Sequence, residues 1–250
     1  MRLGIHQFTY NDDNYGVLLH DAERSETALV DAGDAAAAEA ALDEAGWSLT
    51  QIWITHHHGD HTAGLAALAG DYVEVFGPSG IGGIDRVIDG GDSFAFAGRE
   101  VEVISAPGHT LAMLNYHLPA EKLVFTGDTL FAMGCGRLFE GDAPMMWDSL
   151  CKLMALADDT VVYCGHEYTA ANAKFALSVD PANAALQRRA EAVNELRSIG
   201  QPTVPTMIAL EKATNPFLRA GDAGLRAHLG MDGASDAEVF AEVRRRKDNF

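Results

Sequence analysis

The sequence predicts an α+β fold in which an αββα sandwich over residues 1–165 is followed by a small C-terminal helical domain over residues 166–250. Short apolar stretches rich in β-branched and aromatic residues recur through the first half of the chain, as expected for strands. After the apolar stretch at residues 161–162 no convincing strand follows, and helix start signals take over. The length of 250 residues is enough to bury a large core as one domain or two.

The individual elements follow from local signals in chain order. The predicted strands are residues 5–8, 17–19, 27–30, 52–54, 73–76, 94–96, 101–104, 113–117, 123–126 and 161–162. Asp34 and Gly46 are suited to bound the first helix as its N-cap and its terminating glycine. Asp180 before a proline opens another helix, and Ser235 with Glu238 forms a capping-box pattern. The predicted helices are residues 34–45, 147–156, 180 to 196 or 199, and 235–247.

Four side chains of metal-ligand type stand within six residues directly after the predicted strand at residues 52–54. His56 and His58 are two apart in extended chain, so they point to one side and His57 points to the other. Asp60 and His61 follow a glycine turn and can face the same cavity. Imidazole and carboxylate groups suit divalent metals, and the absence of cysteine argues against a closed structural zinc site. The alternative interpretation is a solvated histidine loop.

Three further ligand-type residues, His109, Asp128 and His166, follow predicted strands and come directly after glycines. Each one taken alone is more often a hydrogen-bonded loop residue. Together with the first cluster they give five histidines and two aspartates, which suffice for two metal ions that share a carboxylate. The sequence therefore predicts a dinuclear metal centre.

The order of these residues, His-x-His-x-Asp-His and then His, Asp and His, resembles the metallo-β-lactamase superfamily. That motif is shared by enzymes of many activities. Further segments resemble the glyoxalase II family, the hydroxyacylglutathione hydrolases, and the resemblance covers nearly the whole chain. These segments are residues 29–33, 127–131, 134–141, 165–169, 215–219 and 244–248.

The resemblance implies how the ligands divide between two divalent metal ions per chain. The first ion is expected at His56, His58 and His109, and the second at Asp60, His61 and His166, with Asp128 bridging the pair. The resemblance gives His57 no role. It implies that Asp31 supports the histidine loop from behind, although a turn residue before Gly33 is equally compatible with the sequence. Zinc is the first expectation for the metal, with iron and manganese as alternatives.

The resemblance also implies a glutathione thioester as the substrate. Basic residues of the family correspond to Arg137, Arg244 and Lys247, and aromatic ones to Phe139 and Tyr168. Some relatives have tyrosine in the place of Phe139, and others have lysine in the place of Arg137. The alternative for Arg244 and Lys247 is a solvated basic helix end that complements the helix dipole.

The implied activity is hydrolysis of S-(2-hydroxyacyl)glutathione thioesters such as S-lactoylglutathione, in methylglyoxal detoxification, to glutathione and a 2-hydroxy acid such as lactate. Water shared by two divalent cations loses its proton near neutral pH, so a metal-bridging hydroxide can attack the thioester carbonyl. Asp60 and Asp128 are the expected catalytic residues, with Asp60 also orienting the nucleophile. The leaving thiol has a pKa of roughly 8.5 to 9, so the thiolate can depart without a general acid.

Three other functions are compatible with parts of the pattern. A lactonase, another thioesterase or a β-lactamase-like hydrolase is expected to lack the C-terminal basic helix. A sulfur dioxygenase uses a single iron held by two histidines and one aspartate, which a second metal set at Asp60, His61 and His166 argues against. The third is a metal-binding protein without catalysis, in which the full ligand set is not expected.

The composition limits which classes of binding partner and which cellular compartment are expected. The formal net charge of −18 disfavours binding to nucleic acid and to anionic membranes. The start shows no signal-peptide pattern, and no apolar stretch approaches the 18 residues of a membrane span. The cysteines Cys135, Cys151 and Cys164 are odd in number and widely spaced, so no disulfide framework is expected. We therefore expect a cytoplasmic monomer whose partner is a small-molecule thioester.

Overall fold

The computed structural model describes residues 3–250 of the chain. These residues form two compact units. The first contains the described residues up to Ser105 together with Ala112–Gly127, and the second contains Ala106–Leu111 together with Asp128–Phe250. Within residues 3–250, none of the helices combines the length and the apolar character that crossing a bilayer requires.

A mixed sheet forms one layer of the first unit. Its strands, in spatial order, are β1 (Gly4–Tyr10), β2 (Asn14–Asp21), β3 (Glu26–Val30), β4 (Gln51–Trp53), β5 (Glu74–Gly77) and β6 (Arg86–Val87). Strands β1 to β3 pair antiparallel, whereas β3 to β6 pair parallel. Because β3 and β4 run in the same direction, the residues that follow them, Asp31 and Thr55, meet at one edge of the sheet.

Three helices belong to the first unit: α1 (Ala35–Ala45), α2 (Gly59–Thr62) and α3 (Leu65–Leu68). The buried residues of α1 and α3 pack with Leu29, Ile52 and Val75 of the sheet. The Asp34 carboxylate accepts a hydrogen bond from the Ala37 backbone N–H, and Gly46 ends the helix in the left-handed conformation. The predicted boundaries of this helix are confirmed.

The second layer of the first unit is an antiparallel meander of β7 (Ser93–Phe96), β8 (Arg99–Ser105), β9 (Leu114–Leu118) and β10 (Leu123–Gly127), with a 3-10 turn at Pro119–Glu121. The indole of Trp53 on β4 packs against aromatic rings of this layer. They belong to Phe94, Phe96, Tyr116 and Phe125, with centroids 5.3 to 6.2 Å away. Trp53 faces this layer and its neighbour Ile52 faces the helices, as the alternation of a buried strand requires.

The second unit is largely helical. Its helices are α4 (Ala143–Met154), α5 (Thr169–Val179), α6 (Ala184–Ser198), α7 (Ile208–Thr214), α8 (Ala223–Leu229) and α9 (Asp236–Asp248). It also contains the hairpin of β11 (Leu130–Phe131) and β12 (Gly134–Cys135), and the pair β13 (Val161–Cys164) and β14 (Thr206–Met207). Helices α5 and α6 pack through small and aliphatic side chains such as Ala176 and Leu186. Phe217 contacts the rings of Phe175 and Phe240.

Several predicted elements of the second unit were wrong in detail. Asp180 does not open α6; it ends α5, and Asn183 caps α6 through its side-chain oxygen. Helix α4 begins at Ala143, behind the N-cap Asp142, and not at residue 147. A short strand, β14, does follow residues 161–164, and α5, α7 and α8 were not predicted individually. The capping box of Ser235 and Glu238 is confirmed.

Candidate metal centre

The histidine loop of the first unit places its ligand atoms close together. The Nε2 atom of His56 lies 3.1 Å from Nδ1 of His58. The Nε2 atom of His61 lies 3.5 Å from Oδ2 of Asp60. His56 and His61 are buried, whereas His57 is exposed, which agrees with the alternation expected from the sequence. The loop therefore directs one set of side chains inward and His57 towards solvent.

Asp31 supports this loop through a buried network. Its Oδ1 accepts a hydrogen bond from the Thr55 backbone N–H at 2.8 Å, and its Oδ2 lies 2.8 Å from Nδ1 of His61. The Thr55 hydroxyl also lies 3.0 Å from Nδ1 of His56. A carboxylate at Nδ1 holds the proton there, so Nε2 of His61 keeps the lone pair that a metal needs. This geometry favours the supporting role of Asp31 over that of a simple turn residue.

Asp60 is held by two residues that carried no signal in the sequence. The Asn14 side-chain amide donates to its Oδ2 at 3.1 Å, and the Tyr10 hydroxyl donates to its backbone carbonyl at 2.9 Å. Both come from the β1–β2 hairpin, about fifty residues earlier in the chain. These bonds fix the carboxylate of Asp60 beside the ring of His61.

Ligand atoms also converge within the second unit. The Oδ2 atom of Asp128 lies 3.4 Å from Nε2 of His109 and 3.3 Å from Nε2 of His166, and all three residues are buried. The Nδ1 atom of His109 lies 2.8 Å from the carbonyl oxygen of Arg137, which places the proton on that nitrogen and the lone pair on Nε2. One carboxylate oxygen thus stands between two imidazole nitrogens.

Three of the predicted substrate-binding residues lie beside these histidines. The ring of Phe139 meets the ring of His109 edge-on at 5.2 Å, and Tyr168 stacks on His166 at 4.7 Å. The side chains of Arg137 and Phe139 are 64% and 61% exposed, so both can meet a ligand from solvent.

The two cations of α9 that were predicted to bind the substrate, Arg244 and Lys247, differ in their surroundings. Arg244 is only 5% exposed, so the alternative of a solvated helix end does not hold for this residue. It donates to Asp248 and to the Cys135 carbonyl, and its guanidinium lies over the Phe217 ring. The ammonium of Lys247 lies 5.2 Å from the centre of the Phe175 ring. Burial, followed by the positive charges of Arg244 and Arg137, lowers the pKa of Lys247.

The buried thiols of Cys135 and Cys164 in the second unit are unsuited to act as nucleophiles or as metal ligands. Burial raises the pKa of Cys135 to about 11 and that of Cys164 to about 12. Thiolates are therefore scarce at neutral pH, and the chemistry depends on imidazole and carboxylate groups. These donors are the ones that divalent metal ions prefer.

His57 provides a test of the loop assignment. Replacement of His57 by Ala should change activity less than about threefold, because an exposed side chain that faces away loses little on truncation. Replacement of His56 or His58 by Ala should cost at least about a hundredfold, since each removes a donor atom. Kinetic constants and metal content of the three variants check this. Equal losses of activity and metal in all three would contradict it.

Two family models match the chain. Residues 16–75 and 69–166 match the metallo-beta-lactamase superfamily, and residues 167–250 match the hydroxyacylglutathione hydrolase C-terminus. A protein of Rhizobium meliloti named hydroxyacylglutathione hydrolase is 56% identical, with 99% of each chain covered. A protein of Brucella anthropi with the same name is also 56% identical, over 100% of this chain and 98% of that one.

Among solved structures, that of ETHE1 from Myxococcus xanthus is similar to this chain with a TM-score of 0.70 and 26% identity, covering 97% of this chain and 90% of that one. Together with the two family matches, this likeness confirms the predicted fold class, an α+β metallo-β-lactamase fold followed by a C-terminal helical part. The fold and the donor set are those of a divalent metal-binding protein.

Proposed function

Because the chain belongs to the hydroxyacylglutathione hydrolase family, we propose that it hydrolyses S-(2-hydroxyacyl)glutathione thioesters, S-lactoylglutathione among them, to glutathione and a 2-hydroxy acid. This activity would remove the thioester S-lactoylglutathione in the detoxification of methylglyoxal. The proposal is supported by relatives with that name along the full chain and by a donor set suited to metal-assisted hydrolysis.

The observation that carries the proposal is the position of Asp128. Its Oδ2 lies at almost equal distances from Nε2 of His109 and Nε2 of His166, and a neighbouring hydrogen bond orients the ring of His109. A carboxylate in that position is suited to bridge two cations, each of which also binds an imidazole.

The proposed ligand sets follow the same division as the resemblance. His56, His58 and His109 would hold one ion, Asp60, His61 and His166 would hold the other, and Asp128 would be shared between them. Imidazole nitrogens whose second nitrogen is already bonded, as in His61 and His109, fit a divalent cation. When bound, two such ions lower the pKa of a shared water to about 7 and so supply hydroxide at neutral pH.

The chain itself contributes orientation and charge to the proposed reaction. Asp60, fixed by Asn14 and Tyr10, can accept a hydrogen bond from the attacking water and align it with the thioester carbonyl. The departing thiolate needs no general acid, because its conjugate thiol has a pKa near that of cysteine, about 8.5. The protein's own buried thiols, Cys135 and Cys164, have raised pKa values and take no part in the proposed reaction.

We assign the glutathione moiety to Arg137, Phe139, Tyr168, Arg244 and Lys247. Glutathione carries two carboxylates, which cations recognise, and the proposal is supported by the exposed Arg137 and the aromatic rings beside His109 and His166. The planar guanidinium of Arg137 can bind a carboxylate with two parallel bonds, which the lysine of some relatives cannot do. Phe139 offers apolar contact without the hydroxyl of a tyrosine.

The decisive experiment measures thiol release from S-lactoylglutathione by purified protein, with metal content determined on the same sample. We expect turnover that disappears on chelation and returns with added metal, and two equivalents of metal at full activity. One equivalent, with no gain on adding metal, would contradict the dinuclear centre. A lactone, a β-lactam and glutathione persulfide are assayed in parallel; preference for any of them would assign the rival activity.

Replacement of Lys247 distinguishes a role in substrate binding from a role in catalysis. Lys247→Ala should raise KM for the thioester about 5- to 30-fold and leave kcat within a few-fold, because the ammonium would contact a carboxylate remote from the reacting carbonyl. The effect should shrink at high salt, which screens the contact that is lost. Arg245→Ala is the matched control, since Arg245 lies on the same helix and pairs with Glu242. An unchanged KM for Lys247→Ala at low salt would remove α9 from the substrate site.

Further features belong to the same proposal. We propose zinc as the resident metal, with iron or manganese as alternatives, and a cytoplasmic monomer with no nucleic-acid or membrane partner. We also propose that residues 1–165 act as the catalytic domain and residues 166–250 as the thioester-binding domain, which is supported by the family matches to residues 16–166 and 167–250. Elemental analysis of protein from cells and the native mass in solution test the first two features.

A further inference from the structure

The hairpin of β11 and β12, residues 130–135, and the two residues after it lie next to all three candidate ligands of the second unit, Asp128, His109 and His166. Gly136, just after it, lies so close to Asp128 that a Cβ atom there would come 2.0 Å from the Asp128 carbonyl oxygen. The next residue supplies the carbonyl that orients His109. The ring of Phe131 meets the ring of His166 edge-on at 5.9 Å. A shift of this hairpin would therefore disturb each ligand.

The turn of the hairpin is buried and includes a residue in an unfavourable backbone conformation. Met133 adopts a left-handed conformation with φ of 58°, which is unfavourable for a side chain other than glycine. The turn residues 131–134 are buried, so their backbone groups need partners within the protein. Something outside the hairpin must hold it in this shape.

Three buried side chains supply those partners, and we call them the polar brace: Asn172, Glu211 and Asn215. The Glu211 carboxylate accepts from the Met133 backbone N–H at 2.8 Å. The Asn215 side-chain amide nitrogen lies 2.9 Å from the Gly134 carbonyl oxygen and 3.2 Å from that of Phe131. Asn172 donates to the Ala132 carbonyl at 3.1 Å. The brace thus contacts every residue of the turn.

The brace is itself fixed. Asn215 donates to Oε2 of Glu211 at 3.0 Å, and Oε1 of Glu211 accepts from the Arg189 guanidinium and the Thr206 hydroxyl. Glu211 is fully buried, and a buried carboxylate is tolerated only when it is paired and hydrogen-bonded. Helices α6 and α7 and strand β14 therefore hold one carboxylate, which holds the turn.

We propose that Asn172, Glu211 and Asn215 are positioning residues for the metal centre: they hold hairpin 130–135 so that Asp128, His109 and His166 keep the spacing that binds metal. This inference rests on the proposed ligand set. It assigns a function to the polar groups of the helical part of the chain that is separate from binding of the thioester. Outer partners of this kind commonly change metal affinity 10- to 100-fold.

The test compares metal affinity in variants of similar stability. Asn215→Ala removes the bonds to two carbonyls, and Asn172→Ala removes the bond to one. The matched control is Asp180→Asn, which weakens a buried ion pair with Arg219 in the same unit and has no bond to the hairpin. The zinc dissociation constant is measured by chelator competition on folded protein, beside kcat, KM and the melting temperature.

We expect Asn215→Ala to weaken zinc binding at least about tenfold and Asn172→Ala about threefold. In both, kcat should fall and KM for S-lactoylglutathione should stay within about threefold, since substrate contacts remain. Asp180→Asn should melt at a lower temperature than the wild type and bind zinc as the wild type does.

Zinc affinity equal to that of the control in both variants, Asn215→Ala and Asn172→Ala, would overturn the proposal. If Asn215→Ala does not fold, Asn172→Ala decides alone. Wild type that binds zinc but does not cleave the thioester would refute the proposed function and leave the zinc comparison valid.

Discussion

Replacement of Asp128 by Ala should lower kcat by about a thousandfold or more, equivalent to about 4 kcal/mol of transition-state stabilisation. Oδ2 of Asp128 lies 3.4 Å from Nε2 of His109 and 3.3 Å from Nε2 of His166, one histidine of each proposed metal set, so loss of this carboxylate should uncouple the two ions. Removal of a bridge should change kcat far more than KM, because the two ions would activate the attacking water, whereas other residues bind the glutathione moiety. Stopped assays of thiol release at saturating substrate measure the effect.

Two further variants test whether the loss of activity is due to the charge of the Asp128 carboxylate. Asp128→Asn keeps the shape and loses the charge, so it should retain part of the metal but little of the turnover. Asp142→Asn removes an exposed carboxylate that caps α4, and asparagine caps helices equally well, so activity and stability should be unchanged. If Asp128→Ala kept more than a tenth of kcat with two metal ions bound, Asp128 would not be the bridge.

The histidine loop could be recognised from sequence because its ligands are local. A buried strand followed by His56, His58, Asp60 and His61 places four donors within one short segment, and the alternation of extended chain separates His57 from them. The sandwich was predictable for a similar reason: each strand has its own apolar pattern, and Trp53 and Ile52 alternate between the two faces as a buried strand requires.

The supports of the site could not be predicted because they are distant in sequence. Tyr10 and Asn14 reach Asp60 across fifty and forty-six residues, and nothing in their local pattern indicates it. The same holds for Asn215, which bonds to a turn more than eighty residues earlier. Polar residues of this kind look like ordinary loop residues until the fold brings them together.

Helix ends in the second unit were misjudged where signals compete. Asp180 with the following proline is a good helix start, but the Asp180 carboxylate binds Arg219 and Asn183 instead, and Asn183 caps the helix. Helix α5 has no side-chain cap bond at Tyr168, so its start left no signal. A solvated helix end was the alternative for Arg244, yet Asp248, Cys135 and the Phe217 ring contact its guanidinium in the interior.

Replacement of Asp31 by Asn should weaken metal binding about 10- to 100-fold although the side chain keeps its size. The carboxylate of Asp31 accepts from the Thr55 backbone N–H and holds the proton of His61 on Nδ1. In Asp31→Asn the amide oxygen can still accept from Thr55, which leaves the amide nitrogen facing His61. That donor stabilises the other tautomer, with the proton on Nε2, and the atom proposed to bind metal loses its lone pair.

The same substitution should cost the metal-free protein only about 1 to 2 kcal/mol of unfolding free energy, because the bond from the Thr55 backbone N–H survives. Asp31→Ala removes the bonds from the Thr55 backbone N–H, the Thr55 hydroxyl and His61, and should cost about twice as much, with a loss of metal at least as large. Asp21→Asn is the control: Asp21 is also buried in the first unit, where it binds Arg99 and two backbone N–H groups, so this variant should lose stability and keep metal affinity. Chelator competition and urea unfolding of the three variants separate the two effects. If Asp31→Asn bound metal as tightly as Asp21→Asn, the tautomer of His61 would not depend on Asp31, and the carboxylate would serve only to hold the turn after β3.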